Sequence, residues 1–260
     1  MPQYTELFNP VVLIDADSIY YRAALSVTKD IQKFEQIHKA RMRDIMRSTL
    51  DHIQRNTSGM KTMTAVKGLP ATPNFRKLVA KDYKSTRKEQ TDIVKEALTY
   101  GWQWFRDHKS GITADGMEAD DLVCIWANEL DAVGVQYILA HIDKDLDQIP
   151  GWHFNFFKDE PPYWVDDDAA NYKLMHQCLT GDTSDNIAGL KGIGPKKADA
   201  ILKGVPMSRR WSRVRAAYRR HKATHLTTTH RLLKMIETWD EYEQLYQEGQ
   251  KQKKEKRSHS

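Results

Sequence analysis

Two short apolar runs, each followed by acidic residues, constrain this 260-residue chain more than any other feature. Val11 to Ile14 leads directly into Asp15, and Val135 to Leu139 is followed by Ala140, His141, Ile142 and Asp143. Runs this short and this apolar read as strands covered on both faces, the pattern of a parallel sheet. Met63 to Val66 and Trp152 to Phe156 are weaker runs of the same kind. Between them, Ile31, Phe34, Ile37, Ile45 and Ile53 recur near helical spacing, and Thr91 to Phe105 and Glu118 to Leu130 behave alike. Strand and helix alternate, which predicts an α/β fold over residues 1–168: a mostly parallel central sheet flanked by helices. Acids just past the C-terminal ends of parallel strands then share one edge, where such sheets hold their sites.

After about Asp168 the strand signals stop, and short helical segments punctuated by Gly181, Gly189, Gly192 and Gly194 predict a helical module over 169–248. Residues 249–260 carry five bases, Glu255 and no apolar residue, which predicts a disordered basic tail. Gly68 to Pro73 reads as a loop, and the bases behind it are expected on a flexible arm around 70–105 of the core. With 40% hydrophobic residues the chain is long enough to bury a core without staples. Cys124 and Cys178 make no C-x-x-C pair, which excludes a zinc ribbon and a disulfide scaffold and fits a reducing compartment. The start, MPQYTELFNP, is no signal peptide, and no apolar run approaches a membrane span. A cytoplasmic protein without membrane contact is expected.

The net charge of +5 conceals a sharp segregation. Between Thr113 and Asp185 there are sixteen acids against three lysines, a net of -13. From Asn186 to His230 eleven bases face Asp199 alone, and Phe75 to Lys88 holds six bases against Asp82. The flanks attract phosphate directly, whereas the acidic centre repels a polyanion unless divalent cations neutralise it. The pattern points to metal-dependent work on nucleic acid.

The acids stand in four separated segments: Asp15; Glu118, Asp120 and Asp121; Asp143 and Asp145; Asp182 and Asp185. Each has an ordinary explanation: acids favour the first turn of a helix, and Asp-rich turns cap and bend chains. Three of the segments, however, adjoin glycine or an apolar run that pins them to a core. Hard oxygen ligands suit Mg2+ or Mn2+, and more carboxylates than one ion can use imply two. Such a pair serves in-line hydrolysis of a phosphodiester. The rival EF-hand reading of Asp143, Asp145 and Asp147 fails, because Gln148 stands where that loop needs Gly and Phe154 where it needs Glu.

Two elements read as phosphate-binding. Gly189 to Ala198 spaces glycines for a tight turn, then places Pro195 at a helix start and lysines after it. Arg209 to Arg220 interleaves six arginines with Trp211 and Tyr218, which fits a nucleic-acid strand and a solvated helix face equally well. Phe75, Arg76, Tyr83, Lys84 and Arg87 form a further strip, from which Lys84 and Arg87 would clamp a scissile phosphate.

These motifs resemble the successive signatures of the structure-specific 5′ nucleases, comprising flap endonucleases, the 5′ nuclease domain of bacterial DNA polymerase I, and phage 5′-3′ exonucleases and RNase H. IDADS at Ile14, EADD at Glu118, DKDL at Asp143 and GDTSDNIAGLKGIGPKKA from Gly181 carry the resemblance, in order and over most of the chain. It implies a PIN-like nuclease core and, within the helical module, a helix-three-turn-helix variant of the helix-hairpin-helix. It further implies Asp15, Glu118, Asp120 and Asp121 on one divalent ion, and Asp143, Asp145, Asp182 and Asp185 on a second or bridging. Lys84 and Arg87 would contact the reacting phosphate, while Arg76, Lys191, Gly192, Gly194, Lys196 and Lys197 would bind DNA, with K+ at the hairpin. The family's further Asp before the FR pair is missing from Gly68 to Asn74, and nearby Asp17 is the candidate replacement. The expected protein is a monomeric 5′-3′ exonuclease or flap endonuclease acting on DNA 5′ ends, flaps and nicked or gapped duplexes, alongside replication proteins. RNase H-type removal of primers from RNA:DNA hybrids, and a non-catalytic junction binder, are the alternatives.

Overall fold

The computed structural model describes residues 7–29, 37–59, 61–67 and 73–258. The first apolar run forms β1 (Val11–Asp15), whose residues Val12, Leu13 and Ile14 are almost wholly buried. A strand covered on both faces needs partners on both edges, and β1 has them: β2 (Lys61–Val66) on one side and β4 (Tyr137–His141) on the other, both parallel. β3 (Ile112–Thr113), β5 (Gly151–Asn155) and β6 (Tyr163–Val165) complete a six-stranded sheet in the order β3-β2-β1-β4-β5-β6. The sequence runs anticipate β1, β2, β4 and β5. β3 and β6 are too short to leave a pattern. β4 begins later than the apolar run because the Val135 N–H is still tied to the Leu130 carbonyl at the preceding helix end.

Helices α1 (Ala16–Thr28), α2 (Lys39–Thr57) and α4 (Asp92–His108) cover one sheet face, where Ile19, Tyr20, Met42, Met46 and Phe105 meet Val12, Ile14 and Ile138. The helical spacing read across 31–53 is thus served by α2, while Ile31 and Phe34 lie outside the described residues. α5 (Ala119–Ala132) buries Leu122, Val123, Ile125 and Trp126. It packs on β1, β2 and β4.

The chain divides into two units: Met1–Thr72 with Glu89–Leu146 and Gly151–Trp164, and Pro73–Lys88 with Asp147–Pro150 and Val165–Ser260. The second contains α3 (Phe75–Val79), α6 (Asp167–Thr180), α7 (Pro195–Leu202), α8 (Met207–Arg220), α9 (Leu226–Leu233) and α10 (Trp239–Ser258), plus the two-residue strands β7 (Gly181–Asp182) and β8 (Ile187–Ala188). Met175, Leu179, Leu202, Val214 and Tyr218 form its core. Arg210 is buried within it and donates to the Asp168 carboxylate at 2.6 Å and the Asp168 carbonyl at 2.7 Å.

Two boundary expectations are corrected. The basic segment groups with the helical unit over Pro73–Lys88, because Phe75 and Tyr83 are apolar anchors; the rest of the expected arm is α4 of the first unit. The expected disordered tail is helical as far as Ser258. Lys, Gln and Glu are good helix formers, and the Arg231–Glu248 ion pair at 2.9 Å fastens α10 just before that stretch. Among the described residues no helix is long and apolar enough to cross a membrane.

Close approach of α4 to its neighbours depends on Gly101. A Cβ there would lie 2.5 Å from Tyr20 Cβ and 2.8 Å from Met42 Cε. Gly101→Val is therefore expected to destabilise the fold by about 1–3 kcal/mol, read as a lower denaturant midpoint, since overpacking outweighs any helix-propensity gain.

Candidate metal centre

The sheet decides where the first unit's acids meet. Asp15 ends β1, and Ile14 pairs with Ala140, so the loop after β4 emerges beside it. β3 runs parallel to β2 and ends at that same edge, from which the chain enters α5 through Glu118. Three chain segments thus deliver Asp15 and Asp17, Glu118 to Asp121, and Asp143 and Asp145 to the C-terminal edge.

Local chemistry holds each in place. Asp15 is the N-cap of α1; its carboxylate accepts the Asp17 N–H at 3.2 Å and the Ser18 hydroxyl at 2.5 Å. Glu118 and Asp121 form a reciprocal capping box on α5, with the Glu118 N–H on Asp121 Oδ2 at 3.0 Å. Asp121 is 0% exposed, so part of its acidity serves the helix start, the ordinary explanation the sequence left open. Asp143 accepts the Asp145 N–H at 2.8 Å. Asp17 Oδ1 accepts the Tyr20 hydroxyl at 2.5 Å and the Lys67 N–H at 2.8 Å, just past β2. Residues 68–72 of the acid-free stretch lie outside the described residues.

Electrostatics confirm the crowding. Burial first, then the charge of Asp17, with Asp143 adding, pushes the Asp15 carboxyl well above the ordinary carboxylate range. Burial also raises Asp17, with Glu118 adding to it. Oxygen-only donors, repelling one another in a partly dry edge, are what a hard divalent cation satisfies, so the residues fit the expected metal.

In the second unit Asp182 and Asp185 share one turn. Asp182 Oδ1 accepts the Ser184 N–H at 2.7 Å and hydroxyl at 2.6 Å. The turn hangs on β7 and β8, whose backbones touch at two glycines: a Cβ on Gly181 would sit 2.4 Å from the Gly189 nitrogen. Asp185 is paired with both predicted cations, Lys84 Nζ at 3.5 Å and the Arg87 guanidinium. It also accepts the Tyr83 hydroxyl at 3.2 Å, and the Lys84 N–H donates to the Asp185 carbonyl at 2.9 Å. The sequence signals the Tyr83 contact only through the place of Tyr83 in YKSTR.

The predicted DNA-contacting residues separate. Lys191, Gly192, Gly194, Lys196 and Lys197 lie exposed around the start of α7, with Pro195 in its first turn; Lys197 Nζ donates to the Gly192 carbonyl at 2.8 Å. Arg76 does not join them. It is 3% exposed, and its guanidinium donates to the carbonyls of Leu232 at 2.8 Å and Lys234 at 3.1 Å, so it caps the end of α9.

Residues 10–173 match the family model described as the 5′-3′ exonuclease N-terminal resolvase-like domain. This chain belongs to the 5′-3′ exonuclease family. As a member it is a 5′ nuclease. Over 215 residues it is 27% identical to a 5′-3′ exonuclease of Mycoplasma pneumoniae, covering 74% of this chain and 71% of that one. It is 31% identical over 141 residues to flap endonuclease Xni of Shewanella amazonensis, covering 50% and 54%. A bacteriophage T5 flap endonuclease, solved as a pseudo-enzyme-product complex with DNA and metal ions, shares the fold with a TM-score of 0.64 at 16% identity, over 94% of this chain and 98% of that one.

The raised Asp15 and Asp17 carboxyls set a sign for the pH response. Groups whose folded pKa exceeds the unfolded value stabilise at low pH and lose that contribution as pH rises through the folded pKa. The metal-free 5′-3′ exonuclease is therefore expected to lose stability between the carboxylate range and neutrality. Mn2+ binding at about pH 6.5 should release protons, seen as a dependence of the calorimetric heat on buffer ionisation enthalpy. Identical heats in all buffers would contradict it.

Proposed function

We propose that this 5′-3′ exonuclease family member hydrolyses phosphodiester bonds at DNA 5′ ends, flaps or nicks, in replication or repair, using two Mg2+ or Mn2+ ions. The observation that carries it is the gathering of carboxylates from three chain segments at one sheet edge, where burial raises Asp15 and Asp17, with the charges of Asp17 and Asp143 adding at Asp15 and that of Glu118 at Asp17. Asp15, Glu118, Asp120, Asp121, Asp143 and Asp145 would hold metal; Asp182 and Asp185 are assigned to metal by the motif in which they stand. When bound, the ions supply an activated water and stabilise the oxygens gained and lost in the displacement.

The chain's own residues do the rest. The α1 and α5 caps fix Asp15, Glu118 and Asp121 before any ligand arrives, so little reorganisation accompanies binding. Lys84 and Arg87, held at Asp185, present two cations to a phosphate. Exposed Lys191, Lys196 and Lys197 at the α7 start suit the DNA backbone, consistent with a helix-three-turn-helix grip.

Asp120→Ala is expected to cut cleavage of a 5′-labelled flapped duplex by at least about 100-fold while the circular dichroism spectrum is unchanged. Lys84→Ala should cost on the order of 100-fold in kcat with duplex binding largely kept. Chelator should abolish product, and Mg2+ should restore it. Full activity of the Asp120 variant, or product in chelator, refutes the assignment. A labelled RNA:DNA hybrid run alongside separates DNA from primer-RNA preference.

A further inference from the structure

Two buried histidines lie directly behind the Asp143 loop. His141 is the last residue of β4 and 1% exposed; His153, on β5, is 0% exposed. His141 Nδ1 lies 2.6 Å from the Asp143 carbonyl oxygen, and its Nε2 lies 2.8 Å from His153 Nδ1. A carbonyl only accepts, so His141 Nδ1 carries a hydrogen; in the neutral ring Nε2 then accepts from the His153 Nδ1–H. The donors therefore run one way, from His153 to His141 to the Asp143 carbonyl. The rings meet edge-on at 5.0 Å, and His153 stacks on Tyr163 of β6 at 5.4 Å, so the relay is braced by neighbouring strands.

The target of this relay is the start of a short 3-10 turn, Lys144–Gln148, in which Leu146 is buried. The Asp143 carbonyl also receives the Leu146 N–H, at a longer 3.3 Å, while the Asp143 carboxylate takes the Asp145 N–H. The His141 bond thus fixes the peptide plane after Asp143, and with it the direction in which the Asp143 and Asp145 side chains leave the chain. Neither histidine is needed merely to fill space there; a Leu would do that without a donor.

We infer that His141, oriented by His153, is a positioning residue for the metal-binding Asp143 and Asp145. This rests on the metal assignment proposed above. Outer partners that orient ligands typically contribute 10–100-fold in metal affinity, about the size of effect expected here.

The test is Mn2+ affinity of the full chain without DNA, by calorimetry, for wild type, His141→Leu, His141→Asn and His141→Gln, with circular dichroism as the fold control. The Asn amide nitrogen reproduces the position of Nδ1, whereas the Gln amide reaches the place of Nε2. The expected result is a roughly 10–100-fold weaker Kd for His141→Leu and His141→Gln, with His141→Asn close to wild type. Folded His141→Leu and His141→Gln proteins that bind Mn2+ as tightly as wild type would overturn this inference and leave the metal assignment standing. Should His141→Leu fail to fold, the Asn and Gln variants decide: equal affinities overturn the role. Wild-type protein that binds no Mn2+ removes the metal assignment and this inference together.

Discussion

The structure of the first unit turns on a conflict between burial and charge at the end of β1. The strand must be apolar to lie between β2 and β4, yet its last residue is a carboxylate, 6% exposed, with Asp17 and Asp143 near enough to raise it. Clustered carboxylates in a partly dry setting cost free energy that only protons or cations relieve. The fold tolerates that cost because the parallel sheet and the helix caps over-determine the positions of the groups.

Much of this was legible in the chain. Apolar runs ending in acids gave away β1 and β4, since a parallel sheet leaves strand ends on one edge, and the helical spacing of 91–105 and 118–130 marked α4 and α5. The gathering of Asp15 and Asp143 follows from those placements; that of Glu118 depends on β3, which is too short to read in the sequence. Division of labour within EADD was not legible: that the Asp121 carboxylate also takes the Glu118 N–H and so caps α5 emerges only from side-chain geometry.

Arg76 shows where sequence reasoning fails. A base in a basic strip looks solvated or phosphate-bound, and only tertiary context reveals that its partners are carbonyls more than 150 residues along the chain. The same blindness hid the His141–His153 pair, whose members are twelve residues apart with no pattern connecting them. The tail misled for a different reason, because charge without apolar residues was read as disorder, while the same residues are strong helix formers on the end of an anchored helix.

Because the Arg76 guanidinium is spent on the α9 carbonyls, the basic strip is hinged at a fixed post. Asn74 caps its first turn and Arg76 bolts that turn to the helical unit, so the strip's root moves only if α9 moves with it. Rearrangement is left to the Lys84 and Arg87 side chains, since Tyr83 is buried and the Lys84 N–H is bound to the Asp185 carbonyl. A fixed segment with movable charged ends lets the two cations exchange partners by rotamer change, without unfolding the backbone that bears them.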